Sequence, residues 1–196
     1  MNIDTLVIAT RNRHKTEEIR AILAGLPLTI KDLTDFPNCP EVEEDGDTLE
    51  ENAYKKAYSA YRSTGLPAIA DDTGLEVYYL LGRPGIYSAR YAGENATYED
   101  NWKKLIHEMT QVPARKRQAR FRCVIALVGP ATEEYFDGRV EGRILLAPRG
   151  DRGFGYDPVF EPDGFDRSFA ELSAEEKNDI SHRGNALKKL MAFIAS

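Results

Sequence analysis

The chain has 196 residues, enough for one domain with a sizeable core or for two lobes that share one. Its net charge of −6 argues against broad binding to nucleic acid or to anionic membranes. No apolar run approaches the roughly 20 residues that span a bilayer, no signal peptide is visible, and only two cysteines are present. We therefore expect a cytoplasmic protein without nucleic-acid or membrane partners.

The amino-terminal part of the chain predicts a strand followed by a helix. Residues 5–9 form an apolar run typical of a central strand, and the polar residues 10–15 follow it directly. Three apolar residues then recur on one face of a helix: Ile19, Ile22 and Leu23. Backbone N–H groups at the start of a helix favour anions, so this turn is a candidate phosphate site, with charge from Lys15 and a hydroxyl from Thr10.

An acidic loop precedes the next predicted helix. Thr48 and Glu51 have the spacing of a capping box, which indicates a helix through about Tyr61. Four loop carboxylates lie just before it: Glu41, Glu43, Glu44 and Asp45. One of them could complete a magnesium site with Asp72. A solvated loop is the plain alternative.

Two adjacent carboxylates, Asp71 and Asp72, follow the apolar residues 66–70. We expect a short buried strand to end there and Gly74 to allow a sharp turn after it. Neighbouring acids repel each other, and a divalent cation, which prefers oxygen ligands, offsets that repulsion. The residues themselves leave two interpretations open, a polar turn at a strand end or a metal site.

The second half of the chain predicts a helix, a hairpin and two further helices. Thr97 is placed to cap a helix over residues 98–109, and residues 119–128 and 135–146 form the two strands of a hairpin. Ser173 opens another capping box. Four apolar residues mark one face of a terminal helix: Leu187, Leu190, Met191 and Ile194. Alternating strands and helices before a long hairpin predict an α/β fold with a mixed sheet.

Two segments in this half are candidates for contact with a base. Glycines on both sides of Phe154 allow a ligand to approach the backbone, and Phe154 and Tyr156 offer planar faces. Lys177 and residues 181–183 place cations at a helix start, where the helix dipole disfavours them, which indicates a nearby anion or electron-rich ligand edge. A turn with core aromatics and an ordinary helix start are the alternatives.

Together these segments resemble the inosine triphosphate pyrophosphatase family, whose members remove deaminated purine nucleotides. The matching motifs are Thr-x-Asn-x-x-Lys at residues 10–15, Glu-Asn-Ala at 51–53, Ala-Asp-Asp-Thr-Gly-Leu at 70–75, Gly-Phe-Gly-Tyr-Asp-Pro at 153–158 and Ile-Ser-His-Arg-Gly at 180–184. The resemblance implies an elongated mixed β-sheet flanked by helices, with two lobes around a central nucleotide cleft. It also implies one domain over residues 1–196, with the hairpin of about 119–146 in the second lobe, and a homodimer.

The resemblance further implies roles for individual residues. Asp72 would be the catalytic base and, with Glu44, a ligand of Mg²⁺, while Thr73 would touch the substrate. The triphosphate would contact Thr10, Arg11, Asn12, Arg13, His14 and Lys15. The base and sugar would contact Phe154, Gly155, Tyr156, Asp157, Lys177, His182 and Arg183.

The activity implied is Mg²⁺-dependent hydrolysis of inosine, deoxyinosine and xanthosine triphosphates to the monophosphate and pyrophosphate. Donors such as Lys177, His182 or Arg183 fit the 6-keto group of these purines, whereas adenine has an amino donor there and would leave them unpaired. One rival is a related pyrophosphatase of pyrimidine or methylated nucleotides, against which the segments around Phe154 and His182 argue. The other is a nucleotide-binding regulator without turnover, against which the acidic residues argue.

Overall fold

The computed structural model describes residues 3–196 as a mixed α/β fold. The strands of this part of the chain are β1 (Thr5–Ile8), β2 (Thr29–Asp32), β3 (Ala68–Val77), β4 (Pro84–Gly85), β5 (Gln118–Gly129), β6 (Thr132–Ile144) and β7 (Phe160–Pro162). The α-helices are α1 (Arg13–Leu23), α2 (Leu49–Thr64), α3 (Tyr98–Glu108), α4 (Ala174–Ile180) and α5 (His182–Ile194). The strand order in the sheet is β2-β1-β3-β5-β6-β7, with β4 paired to β3.

The chain divides into two compact units. The first contains Cys123–Gly138, Arg183–Ser196 and the described part of Met1–Asp72. The second contains Thr73–Arg122 and Arg139–His182. The sequence predicts the hairpin of β5 and β6 in the second lobe, but the closed end of this hairpin belongs to the first unit.

In the first unit, a parallel arrangement of strands supports a core of aliphatic side chains. β1 is parallel to β2 and to β3, with Val7 opposite Ala68. Helix α1 contributes the buried Ile19 and Leu23, as its apolar periodicity predicts, and α5 contributes Leu187 and Leu190. These helical side chains share one buried cluster with strand residues such as Leu6 and Ile125, and burial of this apolar surface stabilises the unit.

The second unit has antiparallel pairings and a core rich in aromatic residues. β4 is antiparallel to β3, and β7 is antiparallel to β6. The sheet is therefore mixed, as the sequence predicts. Phe121, Phe160 and Phe169 lie in one buried cluster, with ring centroids of Phe121 and Phe160 4.7 Å apart.

None of the helices among the described residues has the length and apolar character needed to cross a bilayer.

The prediction that a strand ends at the two acids is wrong. β3 continues through Asp71 and Asp72 to Val77. Gly74 does not make a turn; a Cβ at this position would lie 2.7 Å from the carbonyl oxygen of Gly85, so the close approach of β4 requires glycine. Because successive side chains of a strand point to opposite faces, the two carboxylates are directed away from each other.

Candidate active site

The turn between β1 and α1 is organised by the side chain of Asn12. Its Oδ1 accepts hydrogen bonds from the backbone N–H groups of His14 and Lys15, at 3.1 and 3.3 Å. The hydroxyl oxygen of Thr10 accepts a hydrogen bond from the backbone N–H of Asn12, at 3.2 Å. Asn12 is therefore the N-cap of α1. Its side chain binds backbone N–H groups that the sequence alone predicts to bind an anion.

The two arginines of this turn have partners of their own. Nη2 of Arg11 donates to the carbonyl oxygen of Cys39 at 2.7 Å, and Nε of Arg13 donates to a carboxylate oxygen of Glu17 at 2.7 Å. The side chain of Arg13 is 88% exposed, and His14 is exposed as well. Arg11 thus contacts the neighbouring loop, and Arg13 pairs within its own helix at the surface.

Asp71 lies between two cations of the first unit. Its Oδ2 is 3.2 Å from Nζ of Lys15 and 2.8 Å from Nη2 of Arg183. Nη1 of Arg183 is also 2.5 Å from a carboxylate oxygen of Glu18. Burial alone would raise the pKa of Asp71, but Lys15 and Arg183 hold it well below its ordinary value. The guanidinium of Arg183, which the resemblance assigns to the base, thus binds two carboxylates here.

Asp72 has a different set of neighbours. Its Oδ1 lies 3.0 Å from Nζ of Lys56, and the same ammonium lies 2.6 Å from Oε1 of Glu44. Nδ2 of Asn52 approaches the other oxygen of Asp72 at 3.4 Å. Burial raises the pKa of Asp72, and Lys56 offsets only part of that effect. A buried carboxylate whose pKa is raised is a better proton acceptor than an ordinary one.

Glu44 and Asp72 present the oxygen ligands that a hard divalent cation prefers. Both carboxylates lie against one ammonium group, that of Lys56, so one positive charge already bridges them. Within residues 3–196, no group of three or more His, Cys, Asp or Glu side chains is arranged to hold a metal ion. Mg²⁺ commonly takes one or two carboxylates together with substrate phosphates and water. The pair therefore fits a magnesium ion that binds with a phosphate ligand.

Lys56 is the residue of this group that sequence reasoning missed. It follows Asn52 by four residues on α2 and therefore shares a helical face with it. That spacing, read together with the Glu-Asn-Ala motif, is a signal that was present in the sequence. Burial alone would lower the pKa of Lys56, but Asp72 and Glu44 raise it above its ordinary value, so its ammonium stays charged.

In the second unit, Asp157 organises the segment that the sequence assigns to the base. Its Oδ2 accepts hydrogen bonds from the backbone N–H of Phe154 at 2.8 Å and from Nζ of Lys177 at 2.6 Å. The same Nζ lies 4.8 Å from the centroid of the Phe154 ring, within the range of a cation–π interaction. Three predicted site residues from two segments are thus brought together.

Two other predicted site residues lie in the core of the second unit. The hydroxyl of Tyr156 donates to the carbonyl oxygen of Ser88 at 2.9 Å, and burial raises the pKa of this tyrosine. With 5% of its surface exposed, Tyr156 packs in the core rather than offering an open face to a ligand. The ring of His182 stacks on Phe121, with centroids 4.6 Å apart and an interplanar angle of 14°. Both residues are buried and hold core positions of the second unit.

Two predicted contacts are fixed mainly by the backbone. Thr73 directly follows Asp72 on β3 and is half-buried. Gly155 adopts a φ of +62°, next to Phe154. The position of Thr73 thus follows from that of Asp72, and the position of Gly155 from that of Phe154.

Comparison with known proteins identifies the family. The model of the Ham1 family matches residues 6–193. The dITP/XTP pyrophosphatase of Geobacter sulfurreducens is 56% identical over 186 residues, which cover 94% of each chain. That of Thermoanaerobacter sp. (strain X514) is 52% identical over 96% of each chain. The HAM1 protein structure from Coxiella burnetii has a TM-score of 0.89 and 41% identity, covering 97% of this chain and 98% of the other. The Staphylococcus aureus Ham1 structure has a TM-score of 0.87 with the same identity and coverage. This chain belongs to the Ham1 family.

Proposed function

We propose that this protein hydrolyses the deaminated purine nucleoside triphosphates dITP, ITP and XTP to the nucleoside monophosphate and pyrophosphate. Similarity to the Geobacter sulfurreducens dITP/XTP pyrophosphatase over nearly the whole chain supports the reaction and the substrate class. The structural observation that carries the proposal is the group formed by the buried Asp72 with the half-buried Lys56 and Glu44. It combines a proton acceptor, a cation for phosphate and two oxygen ligands for a metal.

At the phosphate end, Asp72 would accept a proton from the water molecule that attacks the α-phosphorus. A bond then forms between the water oxygen and phosphorus, and the bond to the oxygen that bridges the α- and β-phosphates breaks, releasing pyrophosphate. The ammonium groups of Lys15 and Lys56 would bind phosphate oxygens and offset their charge. When bound by Glu44 and Asp72, Mg²⁺ would neutralise phosphate oxygens and lower the pKa of bound water.

Further phosphate contacts would come from the turn that Asn12 organises. Its residues follow β1 directly, and Lys15 already joins the turn to Asp71 in the structure. The hydroxyl of Thr10 and the side chains of Arg11, Arg13 and His14 would supply additional donors once a triphosphate is present. Thr73 would contact the substrate beside Asp72.

At the base end, Phe154 would stack on the purine, and Lys177 would donate a hydrogen bond to its 6-keto oxygen. Hypoxanthine and xanthine accept such a bond, whereas the 6-amino group of adenine cannot, so a buried donor would be left unpaired. Asp157 would hold Lys177 and the backbone of Phe154 in place. Gly155 would lie beside the base, Tyr156 and His182 would act from the core of the second unit, and Arg183 would act through its partners Asp71 and Glu18.

We also propose that the protein acts on free nucleotides as a cytoplasmic homodimer. The net charge of −6 disfavours nucleic acid as a substrate. Cys39 and Cys123 are both buried thiols, which suits a reducing compartment. Light scattering on the purified protein would test the dimer, since a monomeric mass at micromolar concentration would exclude a stable one.

The reaction is tested by incubating the protein with dITP and Mg²⁺ while pyrophosphate and orthophosphate are measured separately. We expect one pyrophosphate for each dIMP, no orthophosphate, and loss of turnover when a chelator removes the metal. Tight dITP binding without products would instead indicate a nucleotide-binding regulator. Hydrolysis of pyrimidine triphosphates in preference to dITP would indicate the related pyrophosphatase activity.

A further inference from the structure

Phe154 lies between two glycines whose backbone is left-handed. Gly153 has a φ of +71° and Gly155 a φ of +62°, so the neighbouring chain has no side chains that could restrain the ring. The backbone N–H of Phe154 is fixed by the carboxylate of Asp157. The position of the ring itself therefore depends on contacts from other elements.

Two side chains make such contacts with the ring. The ammonium of Lys177, on α4, lies 4.8 Å from the ring centroid. The ring of Tyr98, at the start of α3, has its centroid 5.9 Å from that of Phe154 and an interplanar angle of 46°. Tilted aromatic pairs at this separation are favourable. A cation and an aromatic ring thus support Phe154 from two different helices.

Tyr98 is itself held in place by the start of its helix. The hydroxyl oxygen of Thr97 accepts a hydrogen bond from the backbone N–H of Asp100 at 3.1 Å, and the backbone N–H of Thr97 donates to Asp100 Oδ2 at 2.9 Å. This reciprocal pair is a capping box. Tyr98 directly follows the N-cap Thr97 and is the first residue of α3. Its backbone is therefore ordered, although 41% of its surface is exposed.

We propose that Tyr98 is a positioning residue that keeps the Phe154 ring oriented for stacking on the purine. The proposal rests on the function proposed above, in which Phe154 stacks on the base. Without Tyr98 the ring keeps its contact with Lys177 but loses the aromatic one, and it is less well oriented. Each substrate molecule must then order the ring on binding, which lowers the affinity.

The test is the Tyr98→Ala variant, with Tyr58→Ala as the matched control. Tyr58 is also 41% exposed and stacks on another tyrosine, Tyr54, with ring centroids 5.5 Å apart. We expect Tyr98→Ala to raise the KM for dITP by about threefold to tenfold, the range that the loss of one aromatic pair predicts. The kcat is expected to stay within about twofold of the wild-type value. Tyr98→Phe, which keeps the ring, and Tyr58→Ala are expected to leave KM unchanged.

A double-mutant cycle with Phe154→Ala separates positioning from direct contact. If Tyr98 acts through Phe154, adding Tyr98→Ala to Phe154→Ala raises KM no further. An equal penalty in both backgrounds would show that Tyr98 touches the substrate itself and would overturn the proposal. The proposal would also be overturned if the wild-type protein hydrolyses dITP and the Tyr98→Ala variant does so with the same KM. If the wild-type protein does not convert dITP to dIMP and pyrophosphate, the proposed function fails and this role of Tyr98 fails with it. Thermal melts of each variant identify any loss of folded protein.

Discussion

At the residue scale, Asp71 and Asp72 show how neighbouring carboxylates acquire different properties. Asp71 binds Lys15 and Arg183, and the two cations lower its pKa despite complete burial. Asp72 shares one ammonium with Glu44, and burial raises its pKa. The alternation of side chains along β3 separates the two environments. Asp71 therefore acts as a permanent negative charge within the first unit, and Asp72 is the better proton acceptor.

Asp72→Asn removes the proposed base and one metal ligand while nearly preserving the shape of the side chain. We expect kcat for pyrophosphate release from dITP to fall at least about a hundredfold, the lower end for loss of a general base. The measurement is made at saturating Mg²⁺, with a thermal melt to confirm folding. Turnover close to that of the wild-type protein would remove Asp72 from the mechanism.

Lys15→Ala removes a cation from the proposed phosphate site. Since a charge-assisted hydrogen bond is lost, we expect binding of inorganic tripolyphosphate to weaken about tenfold or more, with inosine binding little changed. The difference in tripolyphosphate affinity between the wild-type protein and the variant is expected to shrink at high salt, because salt screens the attraction between Lys15 and phosphate. The affinities for tripolyphosphate and for inosine are measured by their competition with dITP.

Lys55→Ala is the control for this prediction, because Lys55 pairs with Asp45 at the surface. It is expected to bind tripolyphosphate as the wild-type protein does. An altered preference among bases with unchanged tripolyphosphate affinity in Lys15→Ala would place Lys15 at the other end of the nucleotide.

At the scale of elements, a buried arginine joins the end of α3 to the end of β6. Arg117 is 2% exposed. Its Nη1 donates to the carbonyl oxygen of Met109 at 2.6 Å, its Nε to that of Ile144 at 2.8 Å and its Nη2 to that of Leu145 at 2.8 Å. The guanidinium thus satisfies the carbonyl of Met109 at the end of α3, which has no intrahelical partner, and two carbonyls at the end of β6.

Arg117→Met keeps an apolar side chain of similar length but leaves these carbonyls buried without their donor. Each such group costs about 1–3 kcal/mol, so we expect the free energy of unfolding to fall by about 3 kcal/mol or more. Denaturant titration measures the change. Arg115→Met, at an exposed position of the same short turn, is expected to change it by less than about 0.5 kcal/mol. Equal effects of the two substitutions would contradict the role of Arg117.

Helix α4 begins with a carboxylate that links stability to pH. Arg167 and the backbone N–H of Ser173 lower the pKa of Glu176 to about 2 from an ordinary value of 4.5. A carboxylate with a depressed pKa stabilises the folded state above its unfolded pKa, and that contribution is lost as pH falls through the folded value. The relevant window therefore extends from about pH 4.5 down to about pH 2.

Glu176→Gln removes the charge and keeps an acceptor for the cap. We expect the wild-type protein to be more stable than this variant at pH 6 and the difference to shrink steadily below pH 4.5. Free energies of unfolding at several pH values measure it, with Glu175→Gln as the control. A difference that stays constant down to pH 2 would show that the ion pair contributes nothing to stability.

The sequence predicts most elements because their apolar periodicity and caps are local signals. The N-caps at Thr48 and Thr97 and the capping box at Ser173 are observed, but the carboxylate of Glu51 accepts from the backbone N–H of Asp47, so the box predicted at Thr48 is only half formed. The course of β3 could not be predicted, since two acids and a glycine resemble a turn until the cations that neutralise Asp71 are known. The spacing of Lys56 from Asn52 places both on one face of α2, but the partners of Lys56, Glu44 and Asp72, could not be predicted because they lie 12 and 16 residues away in the chain.

At the scale of the whole molecule, each unit has its own core and its own group of buried charges. The first unit contains the ion pairs of Asp71 and Asp72, and the second contains that of Asp157 with Lys177. Every buried cation in these groups has a carboxylate partner, which limits the cost of removing its charge from water. An acidic protein can thus keep a few cations in place for a small anionic ligand.

The central claim is that the protein selects deaminated purine triphosphates and cleaves them to monophosphate and pyrophosphate. A competition experiment tests it most directly, with equimolar dITP, XTP, dATP and dGTP in one reaction with Mg²⁺ and every nucleotide followed by chromatography. We expect dITP and XTP to become monophosphates, each with one pyrophosphate, while dATP and dGTP remain. Consumption of all four at the same rate, or formation of diphosphates and orthophosphate, would contradict the account.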